Sequence, residues 1–519
     1  MTPRRALVLL IVGSAVAHAV SARFLGLGND EAYHYLYATH PALSYYDHPP
    51  FMAWVERAGL ALTGLTETTW APRLGFIGLF AGSTILLYRL TERAYGSRAA
   101  FLAALGLNLT GYYGLAAATF VLPDGPLLFF WLLTVDRLTV ALENPDSRRL
   151  GPWIAVGLAW GCALLSKYHA IFLPMGVGLY LLLDRGQWRW FFRAGPSLAV
   201  GVGILVFSPV VFWNATHGWA SFLFQGGRAV GGVSPRPDLL AIAIAAQAGY
   251  LFPWIWAPLV LFLFRGLGRW PTAASFERLW LCLAVVPWTA FLLVAAFRPV
   301  LPHWGLIGLV TLFPFLGRFW EQRFLARPER TTRLLAASGA VSLLLLGLAV
   351  GEYRLGWLQR GPDHWGPLDE RTDPTLDLYG WDQVALRIRN LGLLDQPESF
   401  VFTRYWYQSA QVARALGGRS PVLCYNPDDP RGFAFWSNPN DWIGKDGILV
   451  TVGEPDGQAR HYGRFFASVE RVADFWVERE GKPVRRIGLY RCSHQRIAYP
   501  FVRDLSTRLA ARPGDPAVR

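Results

Sequence analysis

The chain has 519 residues, of which 53% are hydrophobic, 15% aromatic and only 16% charged. A soluble domain carries about 25% charged residues, and the apolar residues here form runs too long for an amphipathic surface helix or a half-buried strand. These properties exclude a soluble globule, a disordered chain, a coiled coil and a disulfide scaffold, and they predict a polytopic α-helical membrane protein. The net charge of +13 is explained by loop charges that orient a membrane protein, so no nucleic-acid partner is expected.

Eleven segments are predicted to cross the membrane, because a spanning helix needs about 20 largely apolar residues. Two assignments are open. Lys167 and His169 interrupt the apolar stretch at 151–184, and two prolines within 238–264 leave open whether that segment is straight or broken. The predicted spans are 6–23, 70–90, 99–118, 124–142, 151–166, 169–184, 195–213, 238–264, 279–297, 302–317 and 333–351.

Arginine is distributed unevenly between alternate loops. One set of loops carries clusters such as Arg185, Arg189 and Arg193, whereas the other set is poor in arginine. The positive-inside rule therefore predicts a cytoplasmic N-terminus in the inner (cytoplasmic) membrane. The N-terminal apolar run is predicted to be a first span and not a cleaved signal, because no A-x-A-like site follows it.

Two domains are predicted from the change in composition along the chain. Residues 1–351 form the transmembrane domain, which includes a first extracytoplasmic loop at 24–69 with interfacial helices. Residues 352–519 form a C-terminal extracytoplasmic α/β domain, because short strand-like stretches alternate there with a helical segment at 381–392. The strand-like stretches are 399–403, 447–452 and 486–491. A disulfide between Cys424 and Cys492 is left open, since both lie on the oxidising side.

The first loop opens with adjacent polar residues, Asn29, Asp30 and Glu31, before a helix-like stretch. Asp30, at the mouth of the membrane, is a candidate general base that would take the proton of an acceptor hydroxyl. Glu31 beside it is a second candidate catalytic residue. The alternative is that Asn29 is an N-cap and the two acids only favour the helix dipole.

The sequence Tyr46-Asp47-His48-Pro49-Pro50 follows in the same loop. The double proline keeps His48 extended, and Asp47 with His48 suits a metal ion or a phosphate oxygen. Tyr46 is a candidate sugar or acceptor contact. The alternative is a turn with solvated polar residues. Residues 51–65 are predicted to form a helix that lies in the membrane interface.

Further charged residues lie at the outer ends of the predicted spans. Asp124 begins the fourth span and is a second candidate catalytic acid, although a helix-capping role is the alternative. Lys167 is the only lysine in the membrane portion. It is a candidate point charge for a phosphate, and the alternative is an interfacial lysine that extends to the head groups.

The remaining candidates also belong to the outer ends of spans. Arg228 and Arg298 are candidate phosphate ligands, together with His48, and His303 is a third candidate metal ligand beside Asp47 and His48. Trp219 and Trp304 would stack on sugars or serve as interfacial anchors. Acids that can activate a hydroxyl, beside cations that can hold a phosphate, predict group transfer from a phosphate leaving group.

Six of these motifs resemble the bacterial branch of the GT-C glycosyltransferases, which are relatives of dolichyl-phosphate-mannose protein mannosyltransferases and of the aminoarabinose transferase that modifies lipid A. The resemblance covers about residues 1–350. The motifs are Asp30-Glu31, Tyr46-Asp-His-Pro-Pro, Leu-Pro-Asp124-Gly-Pro-Leu, Leu-Ser-Lys167-Tyr, Trp213-Asn214 with Phe-Gln-Gly-Gly-Arg228, and Pro302-His303-Trp304.

The resemblance implies a GT-C fold and a polyprenyl-phosphate sugar as donor, with inversion at the anomeric centre. Asp30 then matches the first-loop catalytic acid, Asp124 the second acidic position, and Lys167 a lysine near the carrier phosphate. Asp47-His48 stands where the aminoarabinose transferase carries Glu-Lys, so that histidine replaces a phosphate-contacting lysine.

These inferences together predict a monomeric membrane glycosyltransferase that moves a sugar from undecaprenyl monophosphate to a hydroxyl of an extracytoplasmic acceptor. The expected acceptor is lipopolysaccharide or another glycolipid, with a polysaccharide or a protein left open. No cofactor is required by the sequence, and a divalent metal is left open. The alternatives are a secondary transporter or lipid flippase, for which internal repeats are expected, and a polysaccharide ligase or polymerase that uses a diphosphate-linked donor.

Overall fold

The computed structural model describes residues 1–66, 68–143, 149–229, 234–359, 366–395, 398–453 and 455–500. The α-helices are α1 (Pro3–Phe24), α2 (Asn29–Thr39), α3 (Phe51–Thr63), α4 (Leu74–Tyr95), α5 (Ser97–Asn108), α6 (Asp124–Glu143), α7 (Gly151–Ser166), α8 (Phe172–Leu183), α9 (Ala194–Thr216), α10 (Ala220–Ala229), α11 (Pro237–Leu251), α12 (Pro253–Gly268), α13 (Ser275–Ala295), α14 (Leu306–Leu309), α15 (Phe313–Ala326), α16 (Pro328–Leu355), α17 (Trp381–Asn390), α18 (Trp406–Leu416), α19 (Phe433–Trp436) and α20 (Pro455–Tyr462). The strands are β1 (Phe400–Thr403), β2 (Val422–Cys424), β3 (Gly447–Val452), β4 (Phe466–Arg479) and β5 (Lys482–Gln495).

Six helices among the described residues are long and apolar enough to cross a membrane. They are Pro3–Phe24, Ala71–Tyr95, Asp124–Glu143, Ala194–Thr216, Ser275–Ala295 and Pro328–Leu355. The broken alternative for 238–264 is confirmed, because α11 and α12 meet at a 115° bend where Phe252 has a φ of 65°. Helices α7 and α8 are apolar but shorter, so the predicted total of eleven spans stays a prediction.

The most apolar parts of these helices are buried to different extents. In the most apolar 18-residue window, 61% of the residues of α6 are buried inside the protein, against 22% for α1 and 17% for α16. Leu343, Leu344 and Leu205 are exposed on the outside of the bundle. Helix α6 therefore lies at the centre of the bundle, whereas α1 and α16 lie at its edge and present apolar side chains to the surrounding lipid.

The first loop contributes two helices that pack on the rest of the protein. Helix α3 begins after the Pro49-Pro50 pair and ends at Gly64, whose φ is 67°. It coincides with the helix predicted at 51–65; its position in the membrane interface stays a prediction. Helix α2 packs against α18 through a buried cluster that includes Tyr33, Tyr37 and Ala410. The first loop is thus held between the bundle and the C-terminal region.

The C-terminal region contains a five-stranded sheet with the order β2-β1-β3-β5-β4. Strands β2, β1 and β3 are parallel, and β3, β5 and β4 are antiparallel. The predicted strands at 399–403, 447–452 and 486–491 fall on β1, β3 and β5, and the predicted helix at 381–392 falls on α17. The domain boundary at 351/352 falls inside α16, which continues to Leu355, and the division into two domains stays a prediction.

The sheet order bears directly on the disulfide that the sequence leaves open. Cys424 lies in β2 and Cys492 lies in β5, and the strands β1 and β3 separate them. Neighbouring strands are about 4.8 Å apart, so the two cysteines are too distant for a disulfide, whose Cα atoms are at most about 7 Å apart. All four cysteines are free.

A buried ion pair ties the first loop to the ends of the spans. The Arg73 side chain donates to both carboxylate oxygens of Glu31, with Nε at 2.7 Å and Nη2 at 2.5 Å. It also donates to the backbone carbonyls of Ala22, Leu25 and Gly26. The Glu31 carboxylate accepts two more hydrogen bonds, from the backbone N–H groups of Gly28 and Val121. These contacts connect the end of α1, the start of α2 and the segment before α6.

The Glu31–Arg73 pair should dominate the stability of this region. In Arg73→Ala, Glu31 would be left as a buried charge without its partner, which costs about 3–5 kcal/mol. We expect the thermal unfolding midpoint of the purified protein in detergent to fall by many degrees. The control is Arg236→Ala, which removes a side chain that is half exposed in its ion pair with Asp238; its midpoint should match the wild type. Equal midpoints for all three proteins would contradict this account.

Candidate active site

A cavity of about 720 Å³ lies where the first loop, the bundle and the C-terminal region meet. Its walls come from α2, the start of α6, the end of α7, α10, α11 and the segment before α14, and one arginine comes from the C-terminal region. It brings together residues that are far apart in the sequence. The predicted site residues that line it are Asp30, His48, Asp124, Lys167, Arg228, His303 and Trp304.

Asp124 and Lys167 form a buried ion pair in the wall of this cavity. The Lys167 ammonium group donates to both carboxylate oxygens of Asp124, at 2.7 and 2.9 Å, and the Tyr112 hydroxyl donates to the same carboxylate at 2.5 Å. Lys167 has extended backbone where α7 ends, which turns the chain away from the helix axis. An ammonium group has three N–H donors; the two Asp124 oxygens accept two of them, and no described residue accepts the third.

Asp47 and Arg431 form a second ion pair beside the cavity. The Arg431 guanidinium donates to Asp47 Oδ2 at 2.9 Å, and the Tyr37 hydroxyl donates to Oδ1. Burial opposes ionisation of Asp47, but the charge of Arg431 and the hydrogen bond from Tyr37 outweigh it and lower the pKa of the carboxyl. The guanidinium also lies 3.9 Å from the centre of the Trp406 ring.

The candidate metal set of Asp47, His48 and His303 is not assembled. The Asp47 carboxylate is directed to Arg431 and the tyrosines, while the His303 ring stacks on Tyr112 with ring centroids 5.3 Å apart. Over the ranges that the structure covers, no three His, Cys, Asp or Glu side chains are grouped closely enough to hold a metal ion. The arrangement therefore does not fit a resident metal centre.

Arg228 lines the cavity, and the carboxylates of Asp47, Asp30 and Asp429 interact with it only at longer range than an ion pair. Its guanidinium lies 4.8 Å from the ring centre of Trp304 and 5.4 Å from that of Phe224, and it makes no ion pair with any residue that the structure describes. Arg298 is placed differently: it donates to the backbone carbonyl of Gly227 at 2.8 Å and does not line the cavity. Arg228 is thus the cation available to an anionic ligand, and Arg298 contacts the helix that carries it.

Three other predicted site residues lie outside the cavity. Glu31 is occupied by Arg73, Trp219 is 46% exposed on the surface, and Tyr46 packs between Phe224 and Phe435. Glu31, predicted as a catalytic residue, therefore does not line the cavity, and its carboxylate has a structural role. Trp219 and Tyr46 do not reach a ligand in the cavity.

His48 reaches the cavity as a neutral ring. Burial lowers the pKa of His48 to about 3, and its ring lies edge-on to His34 at a centroid distance of 5.5 Å. A phosphate contact by His48 would thus be a hydrogen bond from an uncharged imidazole. In the aminoarabinose transferase that the sequence resembles, a lysine stands at this position. The neutral His48 does not supply the positive charge of that lysine.

Sequence patterns assigned no role to several cavity residues, above all Arg431, Tyr112 and Gln225. Arg431 lies in the C-terminal region, and no motif connects it with the first loop. Tyr112 begins a π-helix, Tyr112–Ala117; such helices are frequent at functional sites but have no clear sequence signature. Gln225 belongs to the Phe-Gln-Gly-Gly-Arg228 motif, and its side-chain amide donates to the Asp47 backbone carbonyl at 2.6 Å.

The fold and the cavity together define a polytopic membrane protein with a cavity lined by charged and aromatic side chains. A family model described as dolichyl-phosphate-mannose-protein mannosyltransferase matches residues 47–213. The crystal structure of apo ArnT from Cupriavidus metallidurans is similar over 93% of this chain and 97% of that chain, with a TM-score of 0.61 and 16% identity.

Curated proteins are also similar in sequence. Lipid A galacturonosyltransferase RgtD from Rhizobium johnstonii is 29% identical over 220 residues, 42% of this chain and 45% of the relative. Undecaprenyl phosphate-alpha-4-amino-4-deoxy-L-arabinose arabinosyl transferase from Pseudomonas savastanoi pv. phaseolicola is 28% identical over 192 residues, 37% of this chain and 34% of the relative. The matches thus span less than half of each curated relative. Over parts of the chain, these similarities agree with the resemblance to bacterial GT-C glycosyltransferases, and the fold is shared with ArnT.

The neutral state of His48 predicts a pH dependence of stability. An unfolded histidine has a pKa of about 6.5, and the folded value is about 3, so between these values the unfolded chain binds more protons. Stability should therefore fall as the pH is lowered through this window. Lowering the pH from 6.5 to 5 should cost on the order of 1–2 kcal/mol through His48 alone. Denaturant unfolding at several pH values should give a flatter profile for His48→Gln; parallel profiles would refute the assignment.

Proposed function

We propose that the protein is a glycosyltransferase that moves a sugar from undecaprenyl monophosphate to a hydroxyl of an extracytoplasmic acceptor, by an inverting single displacement. The observation that carries this proposal is the pairing of charges in one cavity. Asp30 and Arg228 line it without ion-pair partners in the described chain, whereas the other charged groups neutralise one another. Two names support this proposal: the arabinosyl transferase relative is named for an undecaprenyl phosphate-linked sugar, and the galacturonosyltransferase relative is named for lipid A. The fold is also shared with ArnT, which has a structure bound to undecaprenyl phosphate.

The donor phosphate would lie at Arg228. The guanidinium is held against Trp304 and Phe224, so little side-chain freedom is lost when an anion binds. The third N–H of Lys167 is directed by the Asp124 pair and would supply a further donor. Preorganised cations of this kind stabilise the charge that builds on the departing phosphate, an effect that contributes several kcal/mol.

Asp30 would be the general base, and Asp124 would position Lys167. The Asp30 carboxylate is exposed to the cavity, and the adjacent Glu31 fixes the start of α2 through Arg73. The Asp124 carboxylate is occupied by Lys167 and Tyr112, so it is not free to accept a proton from the acceptor. The acceptor oxygen forms a bond to the anomeric carbon while the bond to the phosphate oxygen breaks, and Asp30 takes the hydroxyl proton. The transition state would resemble an oxocarbenium ion.

The orientation and assembly belong to the same proposal. Eleven spans with a cytoplasmic N-terminus would open the cavity on the outer face of the inner membrane, with residues 352–519 as an extracytoplasmic domain. The expected acceptor is lipopolysaccharide or another glycolipid, and the protein would act as a monomer. A ligase or polymerase with a diphosphate-linked donor remains the alternative within the same fold.

One observation favours a transporter as the second candidate. Helices α11 and α12 form a broken pair, as transporters have at their substrate sites, and Tyr250 and Phe252 at the break line the cavity. Purified protein incubated with radiolabelled undecaprenyl-monophosphate and diphosphate sugars separates the functions. The proposed enzyme consumes only the monophosphate donor, a ligase consumes the diphosphate donor, and a transporter consumes neither.

The base assignment is tested by Asp30→Asn. The amide cannot take a proton, so we expect the rate of sugar transfer to fall about 100- to 10,000-fold, while donor affinity changes less than twofold. Asp238→Asn alters an exposed acid outside the cavity and serves as the matched control. Transfer by Asp30→Asn at the control rate would refute the assignment of Asp30.

The phosphate assignment is tested by Arg228→Gln. A charged hydrogen bond contributes about 1.5–3 kcal/mol, so the KM for the donor should rise at least tenfold, while the KM for the acceptor stays unchanged. Arg236→Gln, an exposed arginine outside the cavity, is the control. Donor KM values that agree between Arg228→Gln and the control would exclude Arg228 from the donor site.

A further inference from the structure

A second cavity, here called the outer cleft, lies between the end of α2 and the C-terminal sheet. Its volume is about 580 Å³, and it shares no lining residue with the first cavity. Tyr35 and His40 line one side, Arg419 follows α18, and the chain between β2 and β3 supplies Trp436, Asp441 and Trp442. The proposed transfer reaction uses none of these residues.

The aromatic side chains of the outer cleft are fixed in position. The rings of His40 and Trp436 stack with centroids 4.7 Å apart and planes 17° apart. The Trp442 indole donates to the Ser437 hydroxyl at 2.6 Å, and its ring packs against Phe400 in the core of the sheet. A flat ligand face can therefore bind to these rings without ordering them first, which reduces the entropic cost of binding.

Two charged groups next to these rings have no side-chain partner among the residues that the structure describes. Arg419 and Asp441 are both exposed, and neither side chain forms an ion pair or a hydrogen bond with the described residues. A site that combines aromatic faces with unpaired donors and acceptors fits a ligand with apolar faces and a polar rim. A pyranose has this chemistry, because its C–H faces are apolar and its hydroxyls project from the edge. A lipid acyl chain would leave both charges unpaired.

Helix α2 and the segment around α19 each contribute residues to both the outer cleft and the first cavity. On α2, His34 lines the cavity and Tyr35 lines the outer cleft. Asp30 and His40 are ten positions apart, which corresponds to about 15 Å along a helix axis. The segment around α19 also serves both sites, since Arg431 lines the cavity and Trp436 the outer cleft. The backbone N–H of Gly432 between them donates to the Tyr33 hydroxyl at 2.8 Å.

From this geometry we infer that the outer cleft binds an oligosaccharide, the part of the acceptor that lies a few sugar units from the hydroxyl to be glycosylated. Arg419 gives it a preference for units that carry a carboxylate or a phosphate. The description of this saccharide as part of the acceptor rests on the proposed function. Binding of the saccharide does not require transfer.

The test measures saccharide binding without a donor. The probe is a fluorescently labelled core oligosaccharide released from lipopolysaccharide by mild acid, and its anisotropy is followed with the full-length protein in detergent. We expect saturable binding, which Arg419→Ala and Asp441→Ala each weaken at least tenfold, since each removes charged hydrogen bonds. Lys482→Ala and Glu470→Ala, exposed residues on β5 and β4, are the matched controls and should bind as the wild type does.

Three results would overturn the inference. They are no saturable binding by the wild type, equal affinity for the outer-cleft variants and their controls, and binding that Arg228→Gln abolishes while Arg419→Ala preserves it. Each variant should have the same thermal unfolding midpoint as the wild type, which shows that the binding assay compares folded proteins. The absence of oligosaccharide binding would not change the result of the transfer assay with Asp30→Asn. The absence of an effect in the transfer assay would not change the measured oligosaccharide binding. The two proposals can therefore fail independently.

Discussion

The buried ion pair between Glu31 and Arg73 is the interaction on which the candidate site depends. Removing two charges from water is costly, and the cost is offset only when each charge is fully hydrogen-bonded. Here the guanidinium binds the carboxylate and three carbonyls, and the carboxylate accepts two backbone N–H groups in addition. The pair joins the end of α1, the start of α2 and the segment before α6. Asp30 directly precedes Glu31 in the chain. The contact between Glu31 and Arg73 therefore also positions the Asp30 carboxylate at the cavity.

A second principle is the neutralisation of charge around the cavity. Asp124 pairs with Lys167, and Asp47 pairs with Arg431, so these groups add shape and orientation but little net charge. Arg228 and Asp30 remain without ion-pair partners in the described chain. One cation that can meet an anion and one carboxylate that can accept a proton are the minimum that transfer from a phosphate carrier to a hydroxyl requires. The short helix α10, which follows the spanning helix α9, supplies the cation, and the first loop supplies the carboxylate.

The sequence predicted the parts of this arrangement that depend on composition and order along the chain. Apolar runs indicated the membrane fold, and Asp30, Asp124 and Lys167 were identified because ionisable groups at membrane depth are rare. Side-chain direction was not predictable: Asp30 and Glu31 are neighbours, yet successive helical residues point about 100° apart, and only Asp30 faces the cavity. Arg431 was missed because its contact with Asp47 joins segments 384 residues apart. The sheet order that separates Cys424 from Cys492 also depends on long-range pairing that local patterns do not reveal.

The central claim is that one cavity holds the phosphate of a lipid-linked donor beside Arg228 and opposite Asp30. The most direct measurement is a cryo-EM structure of the protein in lipid nanodiscs with undecaprenyl phosphate. The account predicts phosphate density within hydrogen-bonding distance of the Arg228 guanidinium, in the cavity that Asp30 lines. A phosphate bound at the opposite end of the bundle, or in this cavity but out of reach of Arg228, would contradict it.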